Sequence, residues 1–564
     1  MDSALEQLGK RYVDEVTALS PVSATWLGDH RFDDQVDDVS REAKERKAVF
    51  CRGYLEELDG IPREQLSRAN QVDAAMLERR LRGELWHLEE LREWAWNPMA
   101  YTALAGDAAY SLLARDFAPL RERLGNAASR LEQFPRLMRQ IREILEPARV
   151  PKIHAETAVK QNPGILRILE DMIEPHLGDL PAGERDRLAE ALRIARSAVE
   201  AHQQWLEKEL LPRAAGDFRL GAERFDQKLA FALDGSLTRQ QVRQRAKGEL
   251  RRVRDEMYQL AMQVYRTEHP YTTFPKRASK AYRQAIIRAC LEKACQDTPD
   301  PRRIVETARE SLARLTAFVR EVGLVSLPPD PVDVIVMPEF RRGTSLAYCD
   351  SPGPLDVGQQ TYYAIAPAPA DWTDPQIRSF LREYNLRSLD NLTVHEAMPG
   401  HFLQLTHANR YPSTLRALLS SGVFIEGWAV YTEHVMVEQG CYESDPLMRL
   451  IVLKWTLRAI ANAILDQGVH VDGMTEEQAM RLMMEETFQE EREAAGKWVR
   501  ARLTSTQLST YFVGYLEHVA LRREIQTARG EGFSLREYHD RVLSFGSPPT
   551  RYVRAMMLDL PIGG

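Results

Sequence analysis

The chain has 564 residues, of which 44% are hydrophobic and 28% are charged. This length and composition predict a globular protein with a large core, and they exclude a disordered or fibrous chain. The formal net charge of -7 lacks the basic excess that a nucleic-acid-binding surface needs, so we expect no nucleic acid partner.

The amino terminus and the apolar segments bear on location. The first residues, MDSALEQLGKRYVDEV, do not contain a basic segment followed by an apolar run. No segment approaches the roughly 20 apolar residues of a membrane span. We therefore expect a cytoplasmic protein without a membrane partner.

Helical patterns dominate the chain from its start. In the segment 188–206, apolar residues recur at alternating spacings of four and three residues. They are Leu188, Leu192, Ala195, Val199 and Leu206, with His202 in the same stripe. This spacing is typical of one face of an amphipathic helix, so the sequence predicts a mainly α-helical protein.

The helical pattern stops at a proline-rich segment, residues 328–331. Proline favours extended backbone before it, and valines alternate through residues 332–336 as they do in a strand. Two further short strands are predicted at 345–349 and 361–365, with turn-forming residues between them. After these strands the helical pattern resumes to the end of the chain.

This order of elements predicts two helical lobes that interleave into one continuous unit. The N-terminal lobe covers residues 1–325, and the second lobe covers residues 326–564. The second lobe contains the short β element, which we expect near a central cleft between the lobes.

The segment TVHEAMPGHFLQ, residues 393–404, contains a His-Glu pair and a second histidine six positions after the first. Six residues turn a regular helix by about 600°, so His395 and His401 would diverge by about 120°, too far to bind one ion. Pro399 lacks the amide proton that a helix requires, and Gly400 adds backbone freedom. We therefore predict a broken helix that returns His401 to the side of His395, where both bind one metal ion.

Two glutamates complete the predicted metal centre. Glu396 adjoins the first histidine, where it can act as general base on a water that zinc activates for attack on a carbonyl. Glu426 lies 25 residues after His401 and opens the segment EGWAVYTEH in an apolar context. A buried carboxylate is costly unless it is paired or bound to metal, so Glu426 is the predicted third ligand of one zinc ion. The second lobe is therefore the predicted catalytic lobe.

Glu433 and His434 follow Glu426 by about two helical turns. Histidine ligands of metals commonly donate their second ring nitrogen to a carboxylate or another polar group. We expect Glu433 and His434 to orient a ligand histidine in this way.

These motifs resemble the bacterial family catalogued as domain of unknown function 885, which is similar to the gluzincin metallopeptidases. Its members carry His-Glu-x-x-Pro-Gly-His followed by Glu-Gly-Trp-Ala, and HEAMPGHFLQ and EGWAVYTE are both intact here. The segment SPVSATWLGDHRFDD resembles the family's opening, so the likeness covers nearly the whole chain. The resemblance implies a two-lobed helical fold with zinc in the cleft, held by His395, His401 and Glu426, and Glu396 as catalytic base.

The segment 499–522 also resembles part of that family. The matching residues are Arg500, Gln507, Tyr511 and Gly514, whereas Ala501 replaces a tyrosine and Ser505-Thr506 replace a Pro-Gly pair. In gluzincins a phenol from a C-terminal helix donates a hydrogen bond to the oxyanion, so the resemblance makes Tyr511 the candidate for that role. Tyr515 and His518, on the same helical face, are the alternatives, and Arg500 is expected to contact substrate.

Tyr362 and Tyr363 lie in the last predicted strand, shortly before the His-Glu motif. Gluzincins commonly have an edge strand there that pairs with the backbone of a peptide substrate. The resemblance therefore implies that this strand, with its two tyrosines, binds the substrate.

These features support a zinc metallohydrolase that cleaves peptide or amide bonds. The alternative is a non-catalytic helical binding protein that retains the metal site, although such a protein has no need of Glu396. A di-iron bundle requires paired Glu-x-x-His motifs, and the sequence contains only the one from Glu84 to His87. The sequence leaves open the substrate, exopeptidase against endopeptidase action, manganese or cobalt in place of zinc, and the oligomeric state.

Overall fold

The computed structural model describes residues 1–235, 237–338, 346–369, 372–443 and 445–563. Within these ranges the protein is mainly α-helical and has one small sheet of three strands, as the sequence predicts. The sheet lies between two series of helices along the chain.

Fifteen α-helices precede the sheet in the described part of the chain. They are α1 (Asp2–Ala18), α2 (Pro21–Leu27), α3 (Arg41–Asp59), α4 (Arg68–Trp86), α5 (Pro98–Tyr110), α6 (Leu120–Glu132), α7 (Phe134–Ile144), α8 (Lys152–Gln161), α9 (Pro163–Ile168), α10 (Ala182–Trp205), α11 (Leu211–Arg213), α12 (Gly221–Ala232), α13 (Arg239–Glu268), α14 (Lys280–Ala294) and α15 (Ile304–Glu321).

The predicted apolar stripe lies on α10. Its members Leu188, Leu192, Ala195, Val199 and His202 are all buried. They face α6 and α7, which pack against α10. The four-and-three spacing therefore identifies the buried face of this helix correctly.

The sheet consists of β1 (Val332–Val336), β2 (Ala347–Asp350) and β3 (Thr361–Ile365). The three predicted strands are confirmed, except that residue 345, the first of the second predicted strand, lies outside the described residues. The strand order is β1-β3-β2, with β1 parallel and β2 antiparallel to β3. Because β3 pairs on both sides, the expectation that it is an edge strand is wrong. Within the described residues, β1 and β2 are the two edge strands of this sheet.

Eleven α-helices follow the sheet in the described residues. They are α16 (Asp374–Glu383), α17 (Leu386–Glu396), α18 (His401–Ala408), α19 (Thr414–Leu418), α20 (Gly422–Glu438), α21 (Pro446–His470), α22 (Glu476–Arg481), α23 (Glu491–Leu503), α24 (Gln507–Arg529), α25 (Leu535–Leu543) and α26 (Thr550–Leu558).

A central core joins helices from both halves of the chain. The helix α21 packs against α13 and α24, and α24 packs against α20. Phe225 and Val242 share one hydrophobic core with Ile451, Leu457 and Phe512. The helices that carry the predicted site thus pack on a buried apolar core, while the division of the chain at residue 325 stays a prediction.

None of the helices in the described ranges has the length and apolar composition needed to cross a membrane. Even α21, which is 25 residues long and mostly buried, packs against other helices of the protein.

Candidate metal centre

The helix break predicted between the two histidines is present. The helix α17 ends at Glu396 and α18 begins at His401, so the four residues between them leave the helical path. The rings of His395 and His401 lie 4.8 Å apart, centroid to centroid, and are nearly perpendicular. The break thus brings together two side chains that a regular helix would separate.

Two contacts hold the break in place. A Cβ atom on Gly400 would lie 2.0 Å from the carbonyl oxygen of His395, so only glycine fits at this position. The indole of Trp428 donates a hydrogen bond to the carbonyl oxygen of Pro399, at 2.9 Å. Trp428 belongs to α20, and this bond therefore ties the loop of the first motif to the helix of the second.

Glu426 reaches both histidines from α20. Its Oε2 atom lies 3.7 Å from Nε2 of His395 and 3.5 Å from Nε2 of His401. The ligand atoms of the three residues all lie within 4.8 Å of one another. The structure therefore brings together all three residues that the sequence predicts as metal ligands.

The distances from Glu426 to the two histidines suit a shared metal ion better than direct hydrogen bonds. Oε2 of Glu426 is buried and accepts no hydrogen bond from the residues that the structure describes. Two ligands on one tetrahedral zinc, each about 2.0–2.2 Å from the ion, lie about 3.3–3.6 Å apart. The two distances from Glu426 to the histidines fall at or near this range, whereas a hydrogen bond between nitrogen and oxygen is about 2.9 Å long.

Glu433 contacts the ring nitrogen of His395 that does not face Glu426. Its Oε1 atom lies 2.8 Å from Nδ1 of His395, and its Oε2 atom accepts a bond of 2.7 Å from the amide of Asn391. Asn391 and His395 are four residues apart on α17, so they share one face and meet the same carboxylate. Because Nδ1 carries the proton toward Glu433, Nε2 of His395 keeps its lone pair for the site.

The carboxylates make the cluster attractive to positive charge. Burial by itself lowers the pKa of His395, but its interactions with the carboxylates of Glu426 and Glu433 outweigh burial and raise that pKa to about 10. Burial raises the pKa of Glu426, yet the two histidines overcome this effect and hold the pKa well below its usual range. A bound cation, either a proton or a metal ion, is therefore favoured between these side chains.

Glu396 lies at the edge of the sheet. It is buried and accepts a hydrogen bond from the backbone of Cys349, which belongs to the edge strand β2. Burial raises the pKa of Glu396; His401 and His395 lower it, and the charge of Glu426 raises it further. Together these place the pKa above its ordinary value. The carboxylate that directly follows a ligand histidine is thus more basic than an exposed glutamate.

Two glycines set the position of Glu426 relative to Tyr511. A Cβ atom on Gly427 would lie 2.4 Å from the carbonyl carbon of Gly514, and one on Gly514 would lie 2.1 Å from the carbonyl oxygen of Val423. The helices α20 and α24 therefore touch backbone to backbone where they cross. Glu426 precedes one glycine directly and Tyr511 lies one turn before the other, so the close crossing brings the two side chains together.

This crossing predicts a strong effect of a single methyl group. Gly427→Ala should push α20 away from α24, and we expect a loss of about 1–3 kcal/mol in the free energy of unfolding from overpacking. Thermal unfolding of the purified variant measures this loss. Gly422→Ala, at the start of the same helix, is the control because its Cβ would meet nothing within 4 Å. Equal midpoints for both variants would contradict a tight crossing.

The hydroxyl group of Tyr511 is held by two donors. Arg500 donates to it at 3.1 Å, and the side-chain amide of Gln507 donates at 3.0 Å. Arg500 also donates to Oε1 of Gln507, at 2.8 Å, which turns the NH₂ group of that amide toward Tyr511. Because both neighbours are donors, the tyrosine must direct its own proton elsewhere. Burial and the charge of Glu426 raise the pKa of Tyr511, so it stays protonated.

The start of α24 differs from the family pattern in sequence and has a left-handed residue directly before its first turn. Thr506, which stands where the family has glycine, adopts a left-handed backbone with φ of +68°. Its backbone and that of Ser509 donate to the buried carboxylate of Asp466, at 2.9 and 3.1 Å. Asp466, on α21, thus holds the first turn of the helix that carries Tyr511.

Several residues expected near the site lie elsewhere. His434 does not orient a ligand histidine, because its Nε2 bonds to Thr456 at 2.8 Å and its ring stacks on Tyr515. Residues 433 and 434 diverge by about 100° on α20, so only the first faces α17. His518 is fully buried and bonds to the carbonyl oxygen of Phe424 at 3.0 Å. The two alternatives to Tyr511, Tyr515 and His518, are therefore both engaged in packing.

The two tyrosines of β3 are also packing residues. Tyr363 is fully buried, and its hydroxyl lies 3.4 Å from that of Thr393 on α17. The ring of Tyr362 lies under the guanidinium of Arg115. Arg500, which was expected to contact substrate, reaches the site through Tyr511 and Gln507.

Sequence reasoning missed Asn391, Asp466 and the glycine pair at 427 and 514. Asn391 had a detectable signal, since it lies four residues before His395 and so on the same helical face. Asp466 and the crossing of Gly427 with Gly514 are contacts between distant segments, for which a single sequence carries no periodic signal.

The fold and the cluster define a mainly helical protein with a candidate metal centre at an interrupted helix. The chain belongs to the family of bacterial proteins of unknown function DUF885, whose model matches residues 21–557. This match confirms the family resemblance, whereas similarity to the gluzincins stays a hypothesis. No curated protein matches the chain.

Two solved structures share the fold. The first is described as a "putative lipoprotein of unknown function" from Shewanella oneidensis, is 32% identical and superposes with a TM-score of 0.82, covering 98% of this chain and 99% of its own. The second, a "putative lipoprotein" from Colwellia psychrerythraea, is 19% identical with a TM-score of 0.80, covering 99% of this chain and 100% of its own. The second likeness concerns the fold alone.

Proposed function

We propose that the protein is a zinc-dependent hydrolase of peptide or amide bonds. The observation that carries this proposal is the buried Oε2 of Glu426, which faces two imidazole nitrogens at 3.5 and 3.7 Å without a hydrogen bond from the described residues. His395, His401 and Glu426 would hold the ion, since two imidazoles and one carboxylate are a common ligand set of catalytic zinc. Zinc bound there would polarise a substrate carbonyl and acidify a water molecule.

Glu396 is the proposed general base. It accepts a proton from the attacking water and returns it to the leaving amine, which balances the hydrolysis. Its raised pKa suits both steps, since a more basic carboxylate takes up the proton more readily. The alternative, a non-catalytic metal-binding protein, gives no role to a buried carboxylate in this position.

Tyr511 is the proposed donor to the oxyanion. Arg500 and Gln507 both donate to its oxygen, and its own proton is therefore available to a group in the site. Tyr511→Phe should keep the zinc and lower kcat by about 10²–10³-fold, as the loss of an oxyanion donor does. Steady-state kinetics measure the loss, and an unchanged kcat would remove Tyr511 from the mechanism.

A peptide is the proposed substrate because the site adjoins an edge strand. Among the residues that the structure describes, β2 pairs with β3 alone, and its residue Cys349 contacts Glu396. A cavity of about 500 Å³ borders Cys349 and Asp350 of this strand and Leu405 of α18. An extended peptide in this cavity could pair with β2 and place a carbonyl beside Glu396.

Glu433 is expected to strengthen zinc binding through His395 without binding the ion itself. Glu433→Gln replaces the charged partner of Nδ1 of His395 with a neutral one, and we expect zinc affinity to fall by about 10–100-fold. Competition with a chromophoric chelator measures this affinity. Glu443→Gln is a surface control, and the same affinity in both variants would contradict the role of Glu433.

The experiment that tests the function combines metal content with turnover. Elemental analysis of the purified chain should find about one zinc per chain, and a random peptide mixture should be cleaved by the zinc-loaded protein. Chelation should abolish cleavage and added zinc should restore it. Zinc binding without cleavage of any peptide or amide would favour the non-catalytic binding protein.

The location bears on the substrate. The sequence predicts a cytoplasmic protein, whereas the structural neighbour that is 32% identical is described as a "putative lipoprotein". Lipoproteins are a class that acyl chains anchor to membranes. The cytoplasmic location stays a prediction, and an envelope location is the alternative. Fractionation of cells that express the natural gene distinguishes the two.

A further inference from the structure

A cluster of buried charges lies beside Tyr511, on α21 and α23 and at the end of α16. The carboxylate of Glu493 lies at its centre, 2.6 Å from Arg458 and 3.6 Å from Lys497, and Tyr384 donates to it at 2.9 Å. Arg500 adds a third positive charge that acts on Glu493 and Lys497. Three cations thus act on this one carboxylate.

The donors of this cluster exceed its acceptors. The side chain of Lys497 is only 5% exposed, and it pairs with Glu493 at 3.6 Å, which is longer than a hydrogen bond. Arg458 shares the same carboxylate, at 2.6 Å. Nη1 of Arg458 is buried and has no hydrogen-bond partner in the described ranges. Because burying a donor without a partner is costly, the cluster favours a second anion.

The pKa of Lys497 agrees with this excess of charge. Burial lowers it first, and the neighbouring charges of Arg458 and Arg500 lower it further, to about 7. By contrast, Lys454 on α21 is equally buried but lies 2.8 Å from Glu383, and its pKa is raised. Lys454 thus has a close carboxylate partner, whereas Lys497 lies 3.6 Å from a carboxylate that it shares with Arg458.

The cluster lies next to the proposed oxyanion donor. Arg500 bonds to Tyr511, whose pKa responds to the charge of Glu426. Lys497 and Arg500 are three residues apart on α23, so they lie on one face with their Cβ atoms about 5–6 Å apart. An extended substrate advances about 3.3–3.6 Å per residue. A group one or two residues beyond the reacting carbonyl would therefore meet these cations.

We propose that Arg458, Lys497 and Arg500 form a binding site for a carboxylate of the substrate, which selects peptides by their negative charge. This inference rests on the proposed hydrolase function. The carboxylate is the C-terminal one or that of an acidic side chain, and both share the planar pair of oxygens that arginine and lysine bind.

The test compares matched peptides on the zinc-loaded full chain. One random tetrapeptide library has free C-termini, a second has C-terminal amides, and a third has amides and lacks Asp and Glu. Cleavage followed by mass spectrometry gives kcat/KM for each. We expect the third library to be cleaved about 10–150-fold more slowly than the better of the first two, the factor of one charge-assisted bond. A difference between the first and second libraries assigns the carboxylate to the C-terminus.

Variants of Lys497 test whether the preference for a substrate carboxylate depends on this cluster. Lys497→Gln should reduce the preference for the carboxylate by about tenfold or more, whereas Lys497→Arg should retain most of it. Lys497→Met is the second neutral variant in case glutamine disturbs folding. Arg492→Gln removes an exposed charge from the same helix and is the control. Thermal unfolding accompanies each measurement, since removing a charge that repels its neighbours should not lower stability.

The outcomes separate this inference from the proposed function. Equal cleavage of all three libraries would overturn the carboxylate site and still support a peptidase. A preference that survives in both neutral variants of Lys497 would overturn the assignment to this cluster. Absence of cleavage of every library by the zinc-loaded chain would overturn the proposed function and this inference with it.

Discussion

Replacing Glu396 by glutamine is expected to leave the zinc content at one ion per chain and to lower kcat by about 10²–10⁴-fold, the contribution of a general base. Glutamine has nearly the shape of glutamate but cannot take up a proton. It can still accept a hydrogen bond from the backbone of Cys349, as Glu396 does. The ligands His395 and His401 should therefore keep their positions.

Elemental analysis and kinetics on the same preparation check this result. Asp390→Asn, about one and a half turns earlier on α17, is a matched control that removes a carboxylate outside the metal cluster. A Glu396→Gln variant that binds zinc and turns over at the rate of the wild type would exclude the proposed base. Loss of zinc would instead show that Glu396 contributes to metal binding.

Removal of Glu426 should have the largest effect on the metal. In Glu426→Ala only His395 and His401 remain as ligands, and we expect the zinc content to fall from about one equivalent to below about 0.1. Hydrolysis should disappear with the metal. The variant should still fold, because alanine also removes a buried carboxylate whose desolvation is costly.

Glu438→Ala is the control for this measurement, since Glu438 is half exposed near the end of the same helix and pairs with Arg522. It should bind zinc as the wild type does. Retention of a full equivalent of zinc by Glu426→Ala would remove Glu426 from the ligand set. It would also leave the unusual environment of its Oε2 atom without an explanation.

The metal cluster could be predicted from sequence because the residues that form the helix break lie close together in the chain. The angle between His395 and His401 on a regular helix requires a break, and Pro399 and Gly400 provide it, so the interruption between α17 and α18 follows from four residues. Glu426 could be added because a carboxylate in an apolar segment needs a partner.

The errors and omissions concern the relation between elements. The strand predicted around Tyr362 is real, but strand order depends on pairings that alternation within one strand does not contain, and β3 proved to be central. His434 adjoins Glu433 in sequence, and the packing of α17 against α20 decides which of the two side chains faces α17. A single sequence does not contain that packing. The close approach of Gly427 to Gly514 requires both helices to be placed first.

The helix α20 positions two carboxylates toward α17, because Glu426 and Glu433 lie seven residues apart on the same face of the helix. Seven residues turn a helix by about 700°, which returns the side chain to within about 20° of its starting direction. One residue inserted between them would rotate one glutamate by about 100° relative to the other. Every residue between the two glutamates, 427–432, is also buried. This stretch of α20 therefore fixes both the number of residues and the volume available to each of them.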